Sequence, residues 1–285
     1  MYDRRDATAR GLMMNGRDFD RLSELIQARC GIRITASKKL MLESRLRRRL
    51  RSLGMSSFSE YCAYLFSPGG MRDELVKMID EVTTNTTSFF REPVHFEYLG
   101  RKIVPEFISA RAGRKLKVWS AGCSSGEEPY TLEMVLSESF PDCSASGIPI
   151  LATDICTRVL EKARLGIYED ERTASVPWEF KRKYFMTNRD RNKGLVRIVP
   201  ELRRLVRFRT LNLVDDDFCL AEQWDVIFCR NVIIYFDRST QERLIRKLCT
   251  HLSPGGHLFL GHSETLTGLD VPLVRVESTI YRKQV

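Results

Sequence analysis

The first third of the chain carries apolar residues at three- and four-residue steps. The positions are Phe19, Leu22, Leu25, Ile26, Leu42, Leu46, Leu50 and Leu53. This spacing puts the apolar side chains on one face of a helix. Glycine commonly ends a helix, so the first helix should end at Gly31 and the second at Gly54. A third helix is predicted over residues 57–66 and a connecting helix over 71–82, with a break at 67–70.

Beyond residue 93 short apolar runs alternate with helical segments. Strands are predicted around 116–119, over 148–155, 206–213, 224–228 and 257–261, and as a last pair within 273–282. Helices are predicted over 94–108, from Glu127 onwards, over 157–165 and over 240–252, with a turn at 253–256. Strand–helix alternation that ends in an antiparallel hairpin is typical of a class I methyltransferase sheet. The expected fold class is therefore α/β and Rossmann-like.

One segment breaks this alternation. It consists of short runs of alternating polarity around the turn sequence at 192–194, and it contains Pro200. Such a pattern favours short strands and tight turns. We therefore predict a small antiparallel β subdomain over 183–209. It is inserted into a methyltransferase domain over 83–285, which follows an N-terminal all-α domain over 1–82.

The stretch from Lys115 to Met134 organises the predicted sheet. Its strand runs into six small residues at 121–126, and Glu127 and Glu128 then open a helix. Small side chains let the backbone approach a ligand closely. No Gly-Lys-Ser/Thr closes the loop, and its carboxylates would repel a pyrophosphate, so a P-loop and a dinucleotide fingerprint are both excluded. A loop with carboxylates suits S-adenosylmethionine (SAM); an ordinary tight turn is the alternative.

Two further stretches carry ligand-binding chemistry. Asp154 stands at the end of the next predicted strand, where αβ nucleotide folds present a carboxylate to ribose hydroxyls. Residues 83–93 combine five hydroxyl side chains with Asn85, two phenylalanines and Arg91. Such polar side chains favour helix caps. One cap needs only one side chain, so ligand contacts from the others are a second interpretation.

Composition narrows the classes of function. The 285 residues carry a formal net charge of +9, which favours an acidic partner: nucleic acid, an anionic membrane or an acidic protein surface. No apolar run reaches the roughly 18 residues of a membrane span, and no signal-peptide core opens the chain, so no membrane insertion is expected. Eight cysteines without a Cys-x-x-Cys pair and four scattered histidines indicate reduced thiols in a cytoplasm and no metal site.

Basic residues concentrate in two places. Helix 38–53 holds seven Lys and Arg against Glu43, and on a helical wheel Arg48 and Arg51 lie opposite the apolar stripe. A solvated face and a docking surface for an acidic partner are both consistent with this pattern. Residues 180–209 hold eleven Lys and Arg, and an exposed strand edge there could accept a peptide by strand addition.

Several longer motifs occur along the chain. They are TTNTTSFFRE (83–92), VWSAGCSSGEEPY (118–130), ATDI (152–155), LEKAR with GIY (160–168), KYFM (183–186), GLVR (194–197), LNL (211–213), FCRNVIIYFD (228–237) and GHSE (261–264). With these motifs and the basic helix, the chain resembles the chemotaxis receptor methyltransferases of the CheR family over residues 18–285. Between KYFM and GLVR it lacks the glycine-rich loop that some relatives carry where they bind a receptor's C-terminal pentapeptide.

The resemblance implies methyl transfer from SAM to the side-chain carboxylates of specific chemoreceptor glutamates in chemotaxis adaptation. It implies SAM contacts from Asn85, Thr87, Arg91, Glu128, Asp154, Asn212, Leu213, Asn231 and Val232. Arg91 and Tyr235 are the candidate catalytic residues, since they could orient the substrate carboxylate; a core aromatic is the alternative for Tyr235. A glutamate with a pKa of about 4.3 is ionised at neutral pH, so no general base is required.

The resemblance also implies partners. Helix 38–53 would dock on the acidic methylation region of the receptor's cytoplasmic helices, and the β subdomain would bind the receptor's C-terminal pentapeptide. A monomer and no nucleic-acid partner are expected. A nucleic-acid methyltransferase is one alternative, but the chain lacks Asn/Asp-Pro-Pro-Tyr/Phe and a Pro-Cys nucleophile. A non-catalytic SAM-binding adaptor is another, and intact Arg91, Glu128, Asp154 and Tyr235 argue against it.

Overall fold

The computed structural model describes residues 13–110, 114–140, 149–188 and 194–284. The chain forms two compact units. One is Met1–Thr84 with Tyr235–Asp237, and the other is Asn85–Ile234 with Arg238–Val285. The three domain ranges that we expect from the sequence stay a prediction.

The first unit is helical. Its elements are α1 (Gly16–Cys30), a 3-10 turn (Ala36–Lys38), α2 (Lys39–Leu53), α3 (Phe58–Leu65), α4 (Pro68–Asp73) and α5 (Leu75–Val82). The apolar stripes predicted for α1 and α2 supply buried core residues. Gly31 and Gly54 end the two helices in the left-handed conformation, with φ of 71° and 69°. Glycine adopts this conformation without a steric penalty, and the predicted helix ends are confirmed.

The predicted break at 67–70 is wrong in its extent. The chain turns at Ser67, but α4 begins at Pro68, whose fixed φ and missing N–H suit the first position of a helix. The Ser67 hydroxyl accepts a hydrogen bond from the Gly70 N–H at 3.0 Å and so caps the helix. A Cβ at Gly70 would lie 2.0 Å from the Tyr64 carbonyl oxygen, so glycine is required by close packing.

A buried carboxylate ties α2 to the rest of the helical unit. Glu74 is fully buried and accepts hydrogen bonds from Arg49, through Nε at 2.7 Å and Nη2 at 2.8 Å, and from the Tyr61 hydroxyl at 3.2 Å. The guanidinium fork matches the two carboxylate oxygens. Arg45 donates to the Val82 carbonyl. Two basic residues of α2 therefore have partners within the unit.

The second unit begins with a helical segment in three parts. They are α6 (Pro93–Tyr98), a π-helical turn (Leu99–Ile103) and α7 (Val104–Ala110). The predicted single helix over 94–108 thus contains an irregular turn that periodicity does not show. Gly100 lies in this turn, and a Cβ there would lie 3.0 Å from Ser139 Oγ. The turn therefore lies where this helical segment packs closely against the helix Glu127–Ser139.

The rest of the second unit consists of strands and connecting helices. They are β1 (Val118–Ala121), α8 (Glu127–Ser139), β2 (Ile150–Asp154), α9 (Thr157–Leu165), β3 (Ile167–Glu169), a 3-10 turn (Asp170–Thr173), α10 (Trp178–Tyr184), β4 (Phe185–Thr187), β5 (Leu195–Ile198), α11 (Pro200–Arg203), β6 (Val206–Thr210), β7 (Trp224–Phe228), α12 (Arg238–His251), β8 (Leu252–Phe259), β9 (Leu273–Glu277) and β10 (Ile280–Lys283).

The main sheet has the strand order β6-β2-β1-β7-β8-β10-β9. Strands β6, β2, β1, β7 and β8 run parallel, and β10 is antiparallel to its neighbours β8 and β9. Every residue of β1 and β7 is buried, as is usual for strands with both faces covered. A parallel sheet with a terminal antiparallel hairpin is the class I methyltransferase arrangement. The expected fold class is confirmed.

The predicted turn at 253–256 is instead an irregularity inside β8. The register between β7 and β8 shifts between the pair Trp224–Leu252 and the pair Val226–His257. Strand β8 therefore carries extra residues opposite a shorter run of β7, as in a β-bulge. Pairing with β7 before and after the irregularity keeps this segment in the sheet, which residue types alone do not reveal.

Strands β3, β5 and β4 form a small antiparallel sheet in that order. This confirms the expected small β unit, although β3 precedes the range 183–209. Tyr168 of β3 and Phe185 of β4 pack edge-to-face on Phe89, with ring centroids 4.9 and 5.3 Å apart. This packing holds the small sheet beside the hydroxyl-rich segment 83–93. Residues 189–193, which include most of the predicted turn, lie outside the described residues.

The longest described helices, α1 and α2, have 15 residues each. Within the described ranges, no helix combines the length and the apolar character that crossing a membrane requires.

Candidate active site

The candidate site lies where β1, β2 and β7 end. These parallel strands are neighbours, so their carboxyl ends meet at one edge of the sheet. In open α/β sheets, ligands bind outside this edge at the point where the strand order reverses. The order reverses at β1, because β2 lies on one side of it and β7 on the other. The residues that follow these strands therefore define the site.

The loop after β1 depends on two glycines. Gly122 and Gly126 have φ of 90° and 97°. A Cβ at Gly122 would lie 2.5 Å from Val232 Cγ2, and one at Gly126 would lie 2.9 Å from Ala163 Cβ. Backbone conformation and close packing thus both require glycine. The loop also brings its backbone against Val232, one of the predicted SAM contacts.

Asp154, at the end of β2, holds this loop in place. Its Oδ2 accepts from the Ser124 N–H at 2.8 Å, and its Oδ1 accepts from the Cys156 N–H at 2.9 Å. The Gly122 N–H donates to the Thr153 carbonyl at 2.7 Å. The loop after β1 is therefore attached to the end of β2, where we predict the ribose-binding carboxylate.

The two carboxylates at the start of α8 have different surroundings. Ser120 Oγ donates to Glu128 Oε1 at 2.7 Å, and Glu128 Oε2 lies 3.5 Å from Arg230 Nη1. Burial raises the pKa of Glu128, while Arg230 and the Ser120 hydrogen bond act to lower it. Glu127 is fully buried and pairs with Arg172. Glu128 is therefore the carboxylate at the polar edge, and Glu127 supports the fold.

Arg230, directly after β7 and Cys229, lies at the centre of this edge. Its side chain is 1% exposed, and its Nη2 lies 3.2 Å from Glu92 Oε2 while its Nη1 approaches Glu128. The guanidinium carbon lies 5.4 Å from the centroid of the Phe96 ring and 5.9 Å from that of Phe228. Burial acts to raise the pKa of Glu92, but the Arg230 guanidinium contributes to a net lowering. Arg230 thus links two carboxylates from separate helices.

The backbone after Arg230 is fixed by a second buried carboxylate. Asn231 has φ of 58°, and its N–H donates to Glu264 Oε2 at 2.8 Å. The Ile233 N–H donates to Glu264 Oε1 at 2.9 Å and the Gly261 N–H to Oε2 at 2.6 Å. Burial raises the pKa of Glu264, and these N–H donors act to lower it. Glu264 therefore joins the segment after β7 to the turn after β8.

The segment before α6 approaches the same edge. The Asn85 carbonyl accepts from Ser124 Oγ at 2.9 Å, and Asn85 Nδ2 lies 3.5 Å from Cys156 Sγ. The Arg91 carbonyl accepts a hydrogen bond from Arg230. The structure thus brings the predicted contacts Asn85 and Arg91 to the ends of β1, β2 and β7. Their contact with SAM stays a prediction.

The four remaining predicted SAM contacts lie in segments next to this edge of the sheet. Thr87 is half-buried on the segment before α6. Asn212 and Leu213 follow β6, the neighbour of β2, and Asn212 Nδ2 donates to Asp215 Oδ1 at 2.8 Å. Val232 is half-buried after β7. All four follow or precede elements of this sheet edge, and their role in binding SAM stays a prediction.

Tyr235 belongs to the first unit. It is half-buried there, and its carbonyl accepts from the Arg33 N–H at 3.0 Å. Arg91 belongs to the second unit. The joint role of Arg91 and Tyr235 in orienting a substrate carboxylate therefore stays a prediction.

Other candidates have structural explanations. Cys123 and Cys229 are fully buried, and burial raises the pKa of both thiols well above the usual value. Both cysteines are therefore packing residues, since thiols of this kind are poor nucleophiles. The acidic residues 215–217 are exposed to solvent.

Sequence reasoning missed Glu92, Arg230 and Glu264 as residues that build the site. Each lies inside a quoted motif, but spacing cannot pair residues so distant along the chain. One signal was available: Arg230 comes after the buried strand Trp224–Phe228 with only Cys229 between them. A charged residue at the carboxyl end of such a strand is a candidate for a buried ion pair or a ligand contact.

These groups fit SAM. Glu128 and Asp154 offer carboxylates for an ammonium group and for ribose hydroxyls, and Asn231 offers an amide. Arg230 Nε and Nη1 are buried, and no group among the described residues accepts a hydrogen bond from them. A polar ligand at this edge would supply acceptors. The sheet and its polar edge together define a class I SAM-dependent methyltransferase.

Comparison with known proteins identifies the family. Residues 85–282 match the family model described as the CheR methyltransferase SAM binding domain, and residues 17–83 match that of the CheR methyltransferase all-alpha domain. The chain belongs to the CheR methyltransferase family.

Curated relatives match along most of their length. The chemotaxis protein methyltransferase of Borreliella burgdorferi is 40% identical over 255 residues, which cover 88% of this chain and 89% of that protein. The chemotaxis protein methyltransferase of Klebsiella aerogenes is 41% identical over 275 residues, covering 96% and 91%. That of Escherichia coli K12 is 39% identical over 270 residues, covering 95% and 92%.

Replacing Asp154 should weaken SAM binding. Asp154→Ala removes both the predicted ribose acceptor and the anchor of the loop after β1, and Asp154→Asn removes the charge and one acceptor. We expect both variants to lower SAM affinity at least about tenfold in calorimetric titration, equivalent to about 1.4 kcal/mol. Asp216→Ala, in an exposed loop, is the control and should bind like the wild type. An unchanged affinity in both Asp154 variants would refute the assignment.

Proposed function

We propose that this chain transfers a methyl group from SAM to the side-chain carboxylates of specific glutamates in chemoreceptors. The products are glutamate methyl esters and S-adenosylhomocysteine. The strongest support is the presence of both CheR domains in one chain, the all-alpha domain followed by the SAM binding domain. Relatives that match most of the chain carry the name chemotaxis protein methyltransferase. Such a substrate requires the enzyme to act in the cytoplasm.

The chemistry needs positioning more than proton transfer. Bound SAM supplies an electrophilic methyl group on a positively charged sulfur. A substrate glutamate with a pKa of about 4.3 is already an anion at neutral pH, so the chain need not supply a base. Glu128, Asp154 and Asn231 would hold the donor against the rigid loops at the sheet edge. Arg91 would orient the incoming carboxylate through its guanidinium fork. Alignment of the reacting atoms then lowers the barrier.

Release of the methyl group by mild base tests the proposed reaction. Membranes that carry chemoreceptors are incubated with the enzyme and methyl-labelled SAM, and the labelled receptors are then treated with mild alkali. We expect the label to leave as methanol, because a carboxyl methyl ester hydrolyses under these conditions. Base-stable label would indicate methylation of nitrogen or carbon and contradict the proposal. Bound SAM without transfer to any receptor would instead favour the adaptor.

The exposed face of α2 supports receptor docking. Arg45 and Arg49 are half-buried with partners in the helical unit, whereas Arg47, Arg48 and Arg51 are exposed, although Arg47 Nη2 lies 3.6 Å from Glu43 Oε2. These three share a helical face with Leu40, which is 72% exposed. Arg48 has an acidic neighbour, Glu81, at 3.6 Å and keeps a largely exposed side chain. An apolar residue beside three arginines suits an acidic helix with some apolar surface. This surface is our proposed receptor-docking face.

Charge reversal on this face should slow receptor methylation without changing the affinity for SAM. Arg48→Glu with Arg51→Glu should leave calorimetric SAM affinity unchanged and lower the receptor methylation rate at low salt at least about tenfold, because steering depends on charge. Arg101→Glu with Lys102→Glu makes the same change of charge at exposed positions of the second unit and is the matched control. Equal methylation rates for the two double variants would rule out the docking face.

The small sheet supports a second receptor contact. Strands β3 and β4 are its outer strands, and each presents an exposed apolar side chain, Ile167 and Met186. An outer strand can take an extended peptide by main-chain pairing, with side-chain contacts adding specificity. We propose that the receptor's C-terminal pentapeptide pairs with β4. Between KYFM and GLVR, where the chain departs from the glycine-rich loop of some relatives, residues 189–193 lie outside the described residues.

A peptide titration tests this second contact. A synthetic pentapeptide with the receptor's C-terminal sequence is titrated calorimetrically into the full chain. We expect saturable binding that Met186→Glu weakens at least about fivefold, because a charge replaces an apolar contact beside the new strand. Met13→Glu, which changes an exposed methionine of the helical unit, should bind like the wild type. No heat, or equal affinity in both variants, would contradict the proposal.

A further inference from the structure

Two histidines and a glutamate meet beside the polar edge. Glu92 and His95 lie at the start of α6, and His262 lies in the turn after β8. One ligand atom from each lies within 4.8 Å of the others. We propose that Glu92, His95 and His262 bind a Zn²⁺ ion. This goes beyond the proposed methyl transfer and does not rest on it.

The hydrogen bonds around Thr279 favour one tautomer of His95. His95 Nε2 lies 2.9 Å from Thr279 Oγ1, and the Thr279 hydroxyl lies 2.7 Å from the Ser278 carbonyl, to which it can donate its hydrogen. Both hydrogen bonds form together only when His95 Nε2 is the donor and Thr279 Oγ1 the acceptor. In the neutral imidazole, Nδ1 then carries a lone pair. Metal-binding histidines regularly donate the N–H of the other ring nitrogen to an oxygen acceptor in this way, which sets their tautomer.

The lone pair of His95 faces another acceptor. His95 Nδ1 lies 3.5 Å from Glu92 Oε2. Both atoms are buried, and neither has a hydrogen-bond partner among the described residues. Glu92 Oε2 has the Arg230 guanidinium as an ion-pair partner at 3.2 Å, but His95 Nδ1 has none, and a buried polar atom without a hydrogen bond costs free energy. A cation coordinated by both atoms would give Nδ1 a partner and offset the repulsion between the two lone pairs.

The distances suit zinc. Zinc bonds of about 2.0–2.2 Å in a tetrahedron put neighbouring ligand atoms about 3.3–3.6 Å apart. The separation between His95 Nδ1 and Glu92 Oε2 falls in this range. His262 Nε2 lies 4.0 Å from Glu92 Oε2, and its side chain is 57% exposed, so a small rotation brings it into range. Two of the three ligand atoms, on His95 and Glu92, are thus already held in the interior, and the third, on His262, approaches from the surface.

The ligand types narrow the choice of metal. Two imidazoles and one carboxylate suit Zn²⁺ or Fe²⁺, whereas Mg²⁺ and Ca²⁺ prefer oxygen ligands alone. The separation of 3.5 Å between His95 Nδ1 and Glu92 Oε2 fits the tetrahedral geometry of Zn²⁺. Three protein ligands leave the fourth tetrahedral position for water or another small ligand. The site therefore has the donor set of an open zinc centre.

The charge balance near the site permits a cation. Arg230 Nη2 lies 3.2 Å from Glu92 Oε2, which opposes binding of a positive ion. The same guanidinium also faces Glu128 Oε2 at 3.5 Å, so one positive charge is shared by two carboxylates. The three side chains together retain one negative charge. Glu92 Oε1 accepts from Asn231 Nδ2 at 3.4 Å, so a metal on Oε2 would also steady the segment after β7.

Metal titration of the full chain tests the site. The protein is freed of metal with a chelator and titrated with Zn²⁺ by calorimetry, and Co²⁺ is used as a spectroscopic probe. We expect binding of one equivalent and visible Co²⁺ bands of a tetrahedral complex with nitrogen and oxygen ligands. His262→Ala, at an exposed side chain, should lower Zn²⁺ affinity at least about tenfold. Glu92→Gln, which keeps the size of the side chain, should do the same.

Two controls separate this site from adventitious binding. His251→Gln changes a histidine outside the cluster, and Cys219→Ser removes an exposed thiol. Both should bind Zn²⁺ like the wild type. Circular dichroism without metal should show the wild-type folded state for His262→Ala and for the two controls; Glu92→Gln also removes a partner of Arg230, so the His262→Ala result decides the test. No binding by the wild type, an unchanged affinity in His262→Ala, or loss of binding in either control would overturn the proposal.

Discussion

A buried guanidinium holds the polar edge of the sheet together. Arg230 follows β7 with its side chain almost fully enclosed, and such a cation is tolerated only where anions compensate the loss of hydration. Glu92 and Glu128 supply those anions from the starts of α6 and α8. The fold therefore requires these two carboxylates even when no ligand is bound. Removing either would leave the buried guanidinium with a single carboxylate partner, and the ends of three elements would lose their common anchor.

The loops at this edge are fixed by carboxylates that bind backbone N–H groups. Asp154 holds the loop after β1, and Glu264 holds the segment after β7 and the turn after β8. These bonds are made within the chain, so the loops need little rearrangement when a ligand arrives. A reaction that depends on alignment rather than on proton transfer benefits most from such rigidity. This is the physical link between the fold and the proposed methyl transfer.

The structure divides the basic residues of α2 into two groups. Arg45 and Arg49 serve the helical unit, and Arg49 neutralises the buried Glu74. Arg47, Arg48 and Arg51 remain on the exposed face. Counting charges along the sequence therefore overstates the surface that a partner can contact. Glu43 and Glu81 lie 3.6 Å from Arg47 and Arg48 and offset part of the positive charge on this face.

The sequence by itself determined the strands of the main sheet apart from the first half of β8, the helix ends at Gly31 and Gly54, and the loop between β1 and α8. These features depend on periodicity and on the conformations open to neighbouring residues. The π turn at Leu99–Ile103 and the irregularity in β8 arise from packing and pairing with distant elements. Only the tertiary structure paired Arg230 with Glu92 and Glu128, and only it brought His262 to Glu92 across 170 residues. Local sequence fixes which elements form, but an ion pair or a metal site depends on distances that exist only after those elements pack.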